Sequence, residues 1–342
     1  MSTVMEKKPP FKTLLGHALV KDETGRDMHK SWGNAIWFED AAEKMGVDVM
    51  RWLYASQNPE HNLNFGYNIA DDVRKNLITL WNTYSFFITY ANLDGFNPEN
   101  DLVSYDEYSD LDKWIVSKMQ DLIKESEDCY SNFKVFSLMK SISKFIDDLS
   151  NWYIRRSRRR FWRSENNTDK KAAYSALYEV LIDLIKVMSP IIPFVSEKMY
   201  QNLILDKGAE ESIHLCSFPK FKKEFHDEKL INNIDSIISI VSLGRSARNR
   251  ANIKNRQPLQ TVYIHTPGSL ALVLDDSYKQ EILEELNIKE YKFIDDPEDI
   301  ISYRIKPNFV VLKERFGVDM KDVIGQLNQI DDLEKVRMIS DR

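Results

Sequence analysis

Between about positions 68 and 205 the apolar residues recur at intervals of three and four, the spacing that places side chains on one face of an α-helix. The clearest stretch is IADDVRKNLITLWNTYSFFITYANL, where this spacing links Val73, Leu77, Leu80, Trp81, Tyr84, Phe87 and Ile88. Further helices are predicted at about 110–130, 135–162, 170–188 and from Pro193 onward. Long helices joined by short breakers form a bundle, so the fold is predicted to be mainly α.

Shorter elements are predicted on both sides of this bundle. Before it, an apolar strand LLGHALV leads through a DETG turn and a polar loop into the helices FEDAAEKM and VMRWLYAS, the second capped by Asp48. After it, a helix and a basic connector precede the strands TVYIHT, YKFIDD and SYRIKPNFVVL and the helix DDSYKQEILEELNI, which predicts a small α+β domain. The expected segments are 1–67, 68–226, 227–257, 258–320 and a tail of unassigned structure, 321–342.

The composition excludes several classes of protein. Cys129 and Cys216 are the only cysteines, which argues against a disulfide framework or a cysteine-rich zinc site. Histidines with cysteine or acidic partners at ligand spacing are absent, so no bound metal is expected. No apolar run reaches about 18 residues and no signal-peptide segment is found, so we expect a soluble, cytoplasmic chain. A monomer is also expected. The net charge of −6 makes any local cluster of basic residues informative.

A polar loop, GRDMHKSWGN at 25–34, lies between two apolar stretches. Lys30 offers an ammonium group, Ser31 a hydroxyl, and Gly33 allows the backbone to approach a ligand closely. With Arg26, these residues suit a polyanion such as a nucleotide triphosphate. A solvated surface loop explains the same few residues, because short strings of this kind are common.

The second cluster is NWYIRRSRRRFWR at 151–163, which contains six arginines. At roughly 100° per residue, one helix face is predicted to hold Trp152, Arg155, Arg156, Arg159, Arg160 and Arg163. Such a face could bind phosphates and stack on a base. It could instead be a solvated face, or one ion-paired with Asp147, Asp148 and Glu165, but these carboxylates are too few to balance the cations, which favours a polyanion.

A third cluster lies in GRSARNRANIKNRQPLQ. This second basic patch consists of Arg245, Arg248, Arg250, Lys254 and Arg256. Contact with a nucleic acid and a solvated helix end before the turn at Pro258 explain it equally well.

The order of strand, D-x-x-G turn, M-x-K-S-x-G-N, helix and G-x-D-V-x-R-W resembles the second signature region of the class I aminoacyl-tRNA synthetases, with consensus K-M-S-K-S. The resemblance implies a loop that closes over ATP and Mg²⁺ through Met28, His29, Lys30, Ser31, Gly33 and Asn34. It also implies that Lys30 and Ser31 are catalytic, with Lys30 neutralising the leaving pyrophosphate. Here His29 replaces the usual serine, and Asp27 replaces the first lysine of the consensus.

The string SNWYIRRSRRRFW is similar to the helical anticodon-binding domain of the isoleucyl-tRNA synthetases, with the valyl branch as an alternative. The resemblance implies the end of a Rossmann-like catalytic fold before the bundle, and tRNA(Ile), ATP and isoleucine as partners. It assigns tRNA contact to the arginine cluster and the second basic patch.

The family's H-x-G-H signature and amino-acid pocket are not found in this sequence. We therefore expect either part of a longer isoleucine–tRNA ligase, inactive alone, or a stand-alone tRNA-binding module or split subunit without catalysis. A helical scaffold with no RNA role is a third possibility.

Overall fold

The structure is a computed structural model. It describes residues 2–163, 167–204, 209–265, 276–294 and 306–332, together with 334, 335 and 338. The chain divides into two compact units, 1–235 and 236–342. Within the described residues, no helix is both long enough and apolar enough to cross a membrane.

Most of the first unit is helical, as the periodicity predicts. Its elements in chain order are α1 (Ser2–Glu6), β1 (Val20–Asp22), α2 (Phe38–Met45), α3 (Val47–Ala55), β2 (Leu63–Phe65), α4 (Tyr67–Asp94), α5 (Pro98–Asp101), α6 (Asp110–Ser131), α7 (Val135–Asp147), α8 (Arg155–Trp162), α9 (Thr168–Met188) and α10 (Pro193–Leu203). The next helix, α11 (Glu228–Arg250), begins in this unit. The mainly α fold class is confirmed.

Local sequence explains where the bundle helices begin and end. Ser109 and Asp112 form a reciprocal capping box at the start of α6. Asn167 caps α9 through its side chain, and Pro193 occupies the first turn of α10. At the end of α4, Gly95 adopts a left-handed conformation with φ of 67°. The α4, α6, α7 and α9 helices bury their apolar stripes against one another, which makes the core of the unit.

One helix contains a change of pitch at the arginine cluster. Between α7 and α8 the chain continues as a π-helical segment, Asp148–Ile154, so the predicted helix over 135–162 is continuous but not uniformly α. A π turn holds an extra residue and rotates everything after it by about 100° relative to an ideal α-helix. Projection of the sequence onto a regular helix therefore misplaces side chains here.

Two predictions near the N-terminus are wrong in detail. The strand predicted at LLGHALV begins only at Val20, because β1 pairs in parallel with β2 from Val20 opposite Leu63 to Asp22 opposite Phe65. Asp48 does not cap α3, whose N-cap is Gly46. Instead its buried carboxylate accepts a hydrogen bond of 2.7 Å from the Val195 amide at the start of α10. This contact between distant residues has no local sequence signal.

The second unit contains the end of α11 and a parallel strand pair. Its further elements are β3 (Leu259–His265), α12 (Asp276–Leu286), β4 (Ile288–Ile294), α13 (Phe309–Phe316) and α14 (Met320–Gln329). The strands run parallel, with Leu259 opposite Ile288 and α12 between them in sequence. The strand predicted at SYRIKPNFVVL is wrong over its described residues, because 306–308 form no strand and Asn308 caps a helix that begins at Phe309. Its residues 302–305 lie outside the described part.

Candidate nucleotide loop and nucleic-acid interface

The polar loop is organised around the carboxylate of Asp22, at the end of β1. Its oxygens accept hydrogen bonds from the Thr24 hydroxyl at 2.7 Å, the Asn34 amide at 2.9 Å and the Arg26 backbone N–H at 2.9 Å. These bonds, with the Thr24 hydroxyl contributing most, lower the pKa of Asp22 well below its ordinary value. A charged Asp22 therefore ties both ends of the loop to the strand.

The residues predicted to contact nucleotide lie together on this scaffold. Lys30, Ser31 and Trp32 form a single 3₁₀ turn, closed by Gly33 with φ of 71°. Asn34 accepts a hydrogen bond from the His29 amide at 3.0 Å and donates one to the Asp27 carbonyl at 2.9 Å. Lys30 and Ser31 are exposed and Met28 is half-buried. The Lys30 ammonium lies 4.4 Å from the centre of the Trp37 ring.

The acidic residue that replaces a consensus lysine has its own cation. Asp27 forms an ion pair with Lys21 of β1, and the hydrogen bond from Lys21 lowers the pKa of Asp27. The pair cancels the extra negative charge that the sequence suggested, and it leaves the Lys30 ammonium without a carboxylate partner among the described residues. An exposed ammonium, a hydroxyl and a glycine turn fit the phosphate chain of a nucleotide. No group of metal-ligating side chains is found within the described residues.

The arginine cluster does not have the single cationic face predicted from sequence. Trp152 belongs to the π-helical segment and is only 5% exposed. The guanidinium carbons of Arg155 and Arg156 lie 5.5 and 5.4 Å from its ring centre. The prediction that Trp152 is available to stack on a base is therefore wrong, because the π turn rotates it inward and two half-buried arginines pack on it.

Arg160 is also removed from the predicted binding face. Its guanidinium makes two hydrogen bonds of 2.8 Å to the two oxygens of Asp112, a fully buried residue of α6. It further contacts Asp169, through the side chain at 2.9 Å and the carbonyl at 2.7 Å. Tyr153 donates a hydrogen bond of 2.7 Å to the same Asp112. Although burial opposes the charge on Arg160, the bond to Asp112 raises its pKa, so this arginine is a cationic part of the core.

Asp147 and Asp148, two of the acidic residues near the arginines in sequence, have other partners. Asp148 lies 2.9 Å from the Lys118 ammonium and 3.6 Å from that of Lys144. Asp147 accepts a hydrogen bond from Asn151. Both carboxylates thus have partners outside the arginines, while Arg160 is held by the buried carboxylate of Asp112.

One side of α8 holds a row of side chains that begins at the half-buried Arg155 and is otherwise exposed. Residues spaced by three and four lie on one side of a helix, and here that row contains Arg155, Arg158, Arg159 and Trp162. We call this row the arginine stripe. Arg158, Arg159 and Trp162 are exposed, as is Arg163 immediately after the helix. The sequence prediction omitted Arg158 and Trp162, since both fall outside the face drawn for a regular helix that starts at Trp152.

The second basic patch also contains both residues that are enclosed by the fold and residues that are exposed. Arg248 is 4% exposed and donates to four backbone carbonyls, those of Lys254, Gln257, Leu286 and Asn287, at 2.7–3.2 Å. Arg245 forms an ion pair with the buried Glu285 carboxylate. The other members of the patch, Arg250, Lys254 and Arg256, are exposed. The prediction that all five contact nucleic acid is therefore wrong for Arg248, whose donors are occupied by the fold.

Two family models match the chain. One, described as the anticodon-binding domain of tRNA ligase, matches residues 112–263, which include the arginine stripe. The other, described as tRNA synthetases class I (I, L, M and V), matches residues 1–66, which include the polar loop. The chain belongs to the class I aminoacyl-tRNA synthetases. The family predicted from the loop and the arginine cluster is confirmed.

Curated relatives named isoleucine–tRNA ligase match this synthetase chain over most of its length. The relative from Clostridium novyi (strain NT) is 41% identical over 96% of the chain, and that from Clostridium acetobutylicum is 40% identical over 98%. The relative from Thermus thermophilus is 36% identical over 90%. The chain spans 31%, 33% and 30% of the lengths of these relatives. Among solved structures, a leucyl-tRNA synthetase from Agrobacterium radiobacter K84 is similar over 62% of this chain and 24% of its own chain. The two are 13% identical in sequence, with a TM-score of 0.49.

Proposed function

We propose that this chain supplies the tRNA-binding surface and the ATP-phosphate loop of an isoleucine–tRNA ligase. The activity is the cytoplasmic joining of isoleucine to tRNA(Ile) through an aminoacyl-adenylate. The proposal is supported by the names of the relatives, which match nearly the whole chain, and by the exposed arginines of the stripe. Of these, the stripe carries the proposal, because it belongs to this chain's own surface.

The loop is suited to a phosphate-positioning role. ATP with Mg²⁺ supplies the electrophilic α-phosphate and a pyrophosphate leaving group. The Lys30 ammonium lies over an indole rather than beside a carboxylate, and can neutralise negative charge that develops on the leaving group. Ser31 can donate a hydrogen bond to a phosphate oxygen, and Asp22 holds the loop to β1. The Lys21–Asp27 pair keeps the Asp27 carboxylate from repelling the phosphates.

The helical unit is suited to tRNA because two adjacent exposed arginines have no ion-pair partner within the described residues. Arg158 and Arg159 project from one turn of α8, and no ion pair engages either of them within the described residues. Guanidinium groups in this arrangement bind phosphates and release counterions, which makes affinity depend on salt. Arg250, Lys254 and Arg256 form a further exposed basic set in the second unit.

We assign these roles to the segments expected from sequence. Residues 1–67 form the end of the catalytic domain, 68–226 the anticodon-binding bundle, 227–257 a helix and basic connector, and 258–320 a small α+β domain, with 321–342 unassigned. The division of the chain between Asp235 and Ser236 falls within the proposed connector.

The test compares two charge-reversed variants of the full chain. The first, Arg158→Glu/Arg159→Glu, reverses the exposed centre of the stripe, and the second, Lys220→Glu/Lys223→Glu, reverses two exposed lysines with the same change in net charge. Binding to a tRNA(Ile) transcript is measured by fluorescence anisotropy over a range of salt concentrations. We expect the stripe variant to bind at least about tenfold more weakly and to lose about 1.5 from the slope of log K against log salt, as for two lost phosphate contacts.

The lysine variant should stay closer to the wild type in both affinity and slope. Equal losses in the two variants would mean that net charge alone determines binding, and would remove the stripe from the proposal. No binding by the wild-type chain at low salt would overturn the RNA role altogether and leave the helical scaffold as the better description.

A further inference from the structure

A large aromatic side chain lies exposed beside the arginines of the stripe. Trp162, the last residue of α8, is 58% exposed. It follows Arg158 by four residues and Arg159 by three, so all three side chains share one side of the helix. Within the described residues, no ring and no cation packs on the faces of its indole.

The polar edge of this indole is already satisfied. The Trp162 Nε1–H donates a hydrogen bond of 2.8 Å to the Tyr90 hydroxyl of α4. Tyr90 packs at 4.7 Å against Phe86, whose ring in turn lies 5.2 Å from that of the buried Phe161. The indole is therefore attached at one edge to the packed bundle, while its flat faces remain open to solvent.

We infer that Trp162 is the stacking platform of the proposed tRNA site and takes one unpaired RNA base between its indole face and the neighbouring arginines. This inference rests on the proposed function. An indole ring that is already held in place by a hydrogen bond at its edge loses little conformational freedom when a base stacks on its face. The flanking guanidinium groups neutralise the phosphates on either side of that base and can themselves stack.

The chemistry selects a single-stranded segment rather than a duplex. In an A-form duplex the bases are stacked on one another and their faces are not accessible, whereas loop bases can be turned outward onto aromatic side chains. A protein partner would also cover an exposed tryptophan, but the row of arginines favours an anionic strand. Trp162 thus takes the role that the sequence assigned to Trp152, which is buried.

The test uses the full chain and two labelled RNA probes, a hairpin with a single-stranded loop and a continuous duplex of the same length. Trp162→Ala removes the platform, Trp162→Phe keeps a π face, and Trp162→Leu keeps apolar bulk without one. Phe194→Ala removes another exposed aromatic residue of the same unit, with no arginine within four positions. Circular dichroism melting of each variant establishes that the bundle is intact.

We expect Trp162→Ala and Trp162→Leu to weaken hairpin binding by roughly 5- to 100-fold, the range that corresponds to loss of one base–aromatic stack. The salt slope should not change, because no phosphate contact is removed. Trp162→Phe should retain most of the affinity, Phe194→Ala all of it, and duplex binding should be weak and equal in all variants.

Three results would contradict the inference in different ways. If Trp162→Ala binds the hairpin as the wild type does while Arg158→Glu/Arg159→Glu does not, the stacking role is wrong and the proposed RNA surface stands. If Trp162→Leu retains full affinity, the residue contributes apolar area only. If the wild type binds neither probe, nor tRNA, the proposed function itself fails.

Discussion

The arginine-rich α8 and the basic end of α11 look alike in sequence, yet each mixes two kinds of arginine. Arg160 and Arg248 are enclosed by the fold, whereas Arg159 and Arg250 are exposed. Arg160 is held by a buried carboxylate, and Arg248 by four backbone carbonyls. The comparison teaches that a basic cluster is a binding surface only in those members whose donors the fold has not already used.

The largest expected effect is on the carboxylate-held arginine. In Arg160→Met, the charged Asp112 loses its cation while it remains fully buried. We expect unfolding to become easier by about 3–5 kcal/mol, measured by urea denaturation followed by circular dichroism. Arg159→Met is the matched control, and as an exposed substitution it should stay within about 0.5 kcal/mol of the wild type.

A double variant sharpens this prediction. Adding Asp112→Asn to Arg160→Met removes the unpaired charge, so part of the lost stability should return, and the two substitutions should be strongly non-additive. Simple additivity, or an Arg159→Met variant as unstable as Arg160→Met, would contradict the structural role assigned to the pair.

The partners of these arginines explain what the sequence could and could not predict. Helix starts and ends follow from local signals, such as the capping box of Ser109 and Asp112 or the proline of α10, and these bounds were predicted closely. Asp112 lies 48 positions before Arg160, and Leu286 lies 38 positions after Arg248, so nothing local distinguishes either arginine from its neighbours.

The change of helix pitch before α8 likewise has no local sequence signal. The π-helical segment at Asp148–Ile154 alters which residues share a face of the helix. As a result Trp162 is exposed beside the arginines, whereas Trp152, which the sequence placed there, is buried. The residue types needed for the candidate site, arginines and a tryptophan close together, could therefore be predicted from sequence. Their assignment to individual positions could not, because it depends on packing between helices.

A smaller effect is expected for the carbonyl-held arginine. Arg248→Met leaves the carbonyls of Leu286 and Asn287 without their guanidinium donor, next to the start of β4. Since the lost bonds involve one charged donor and no buried counter-charge, we expect a loss of about 2–3 kcal/mol. The measurement is amide hydrogen exchange in β3 and β4, which should quicken in this variant. Arg250→Met, at an exposed position of the same helix, should leave those exchange rates unchanged.

The smallest expected effect concerns a partly buried carboxylate that is not paired with an arginine among the described residues. Asp183 of α9 is half-buried, and burial raises its pKa, although the charges of Lys186 and Lys222 act in the opposite direction. The same is true of Glu179 one turn earlier, where burial is the first cause of a raised pKa and Tyr108 donates a hydrogen bond to the carboxylate. Asp112 has the guanidinium of Arg160 as its ion-pair partner, whereas Asp183 is a carboxylate whose charge the fold disfavours.

The pH dependence of Asp183 therefore has a defined sign. Above its ordinary pKa of 3.8 the unfolded chain releases the proton first while the folded chain retains it, so this group's contribution to stability falls as pH rises towards the folded pKa. Asp183→Asn removes that loss, and should raise the urea midpoint above the wild type at pH 7 while matching it near pH 3. Asp106→Asn, at an exposed position, should follow the wild type throughout. A midpoint for Asp183→Asn below that of the wild type at pH 7 would mean that the attraction of Asp183 to the charges of Lys186 and Lys222 outweighs burial, and the contrast with Asp112 would then disappear.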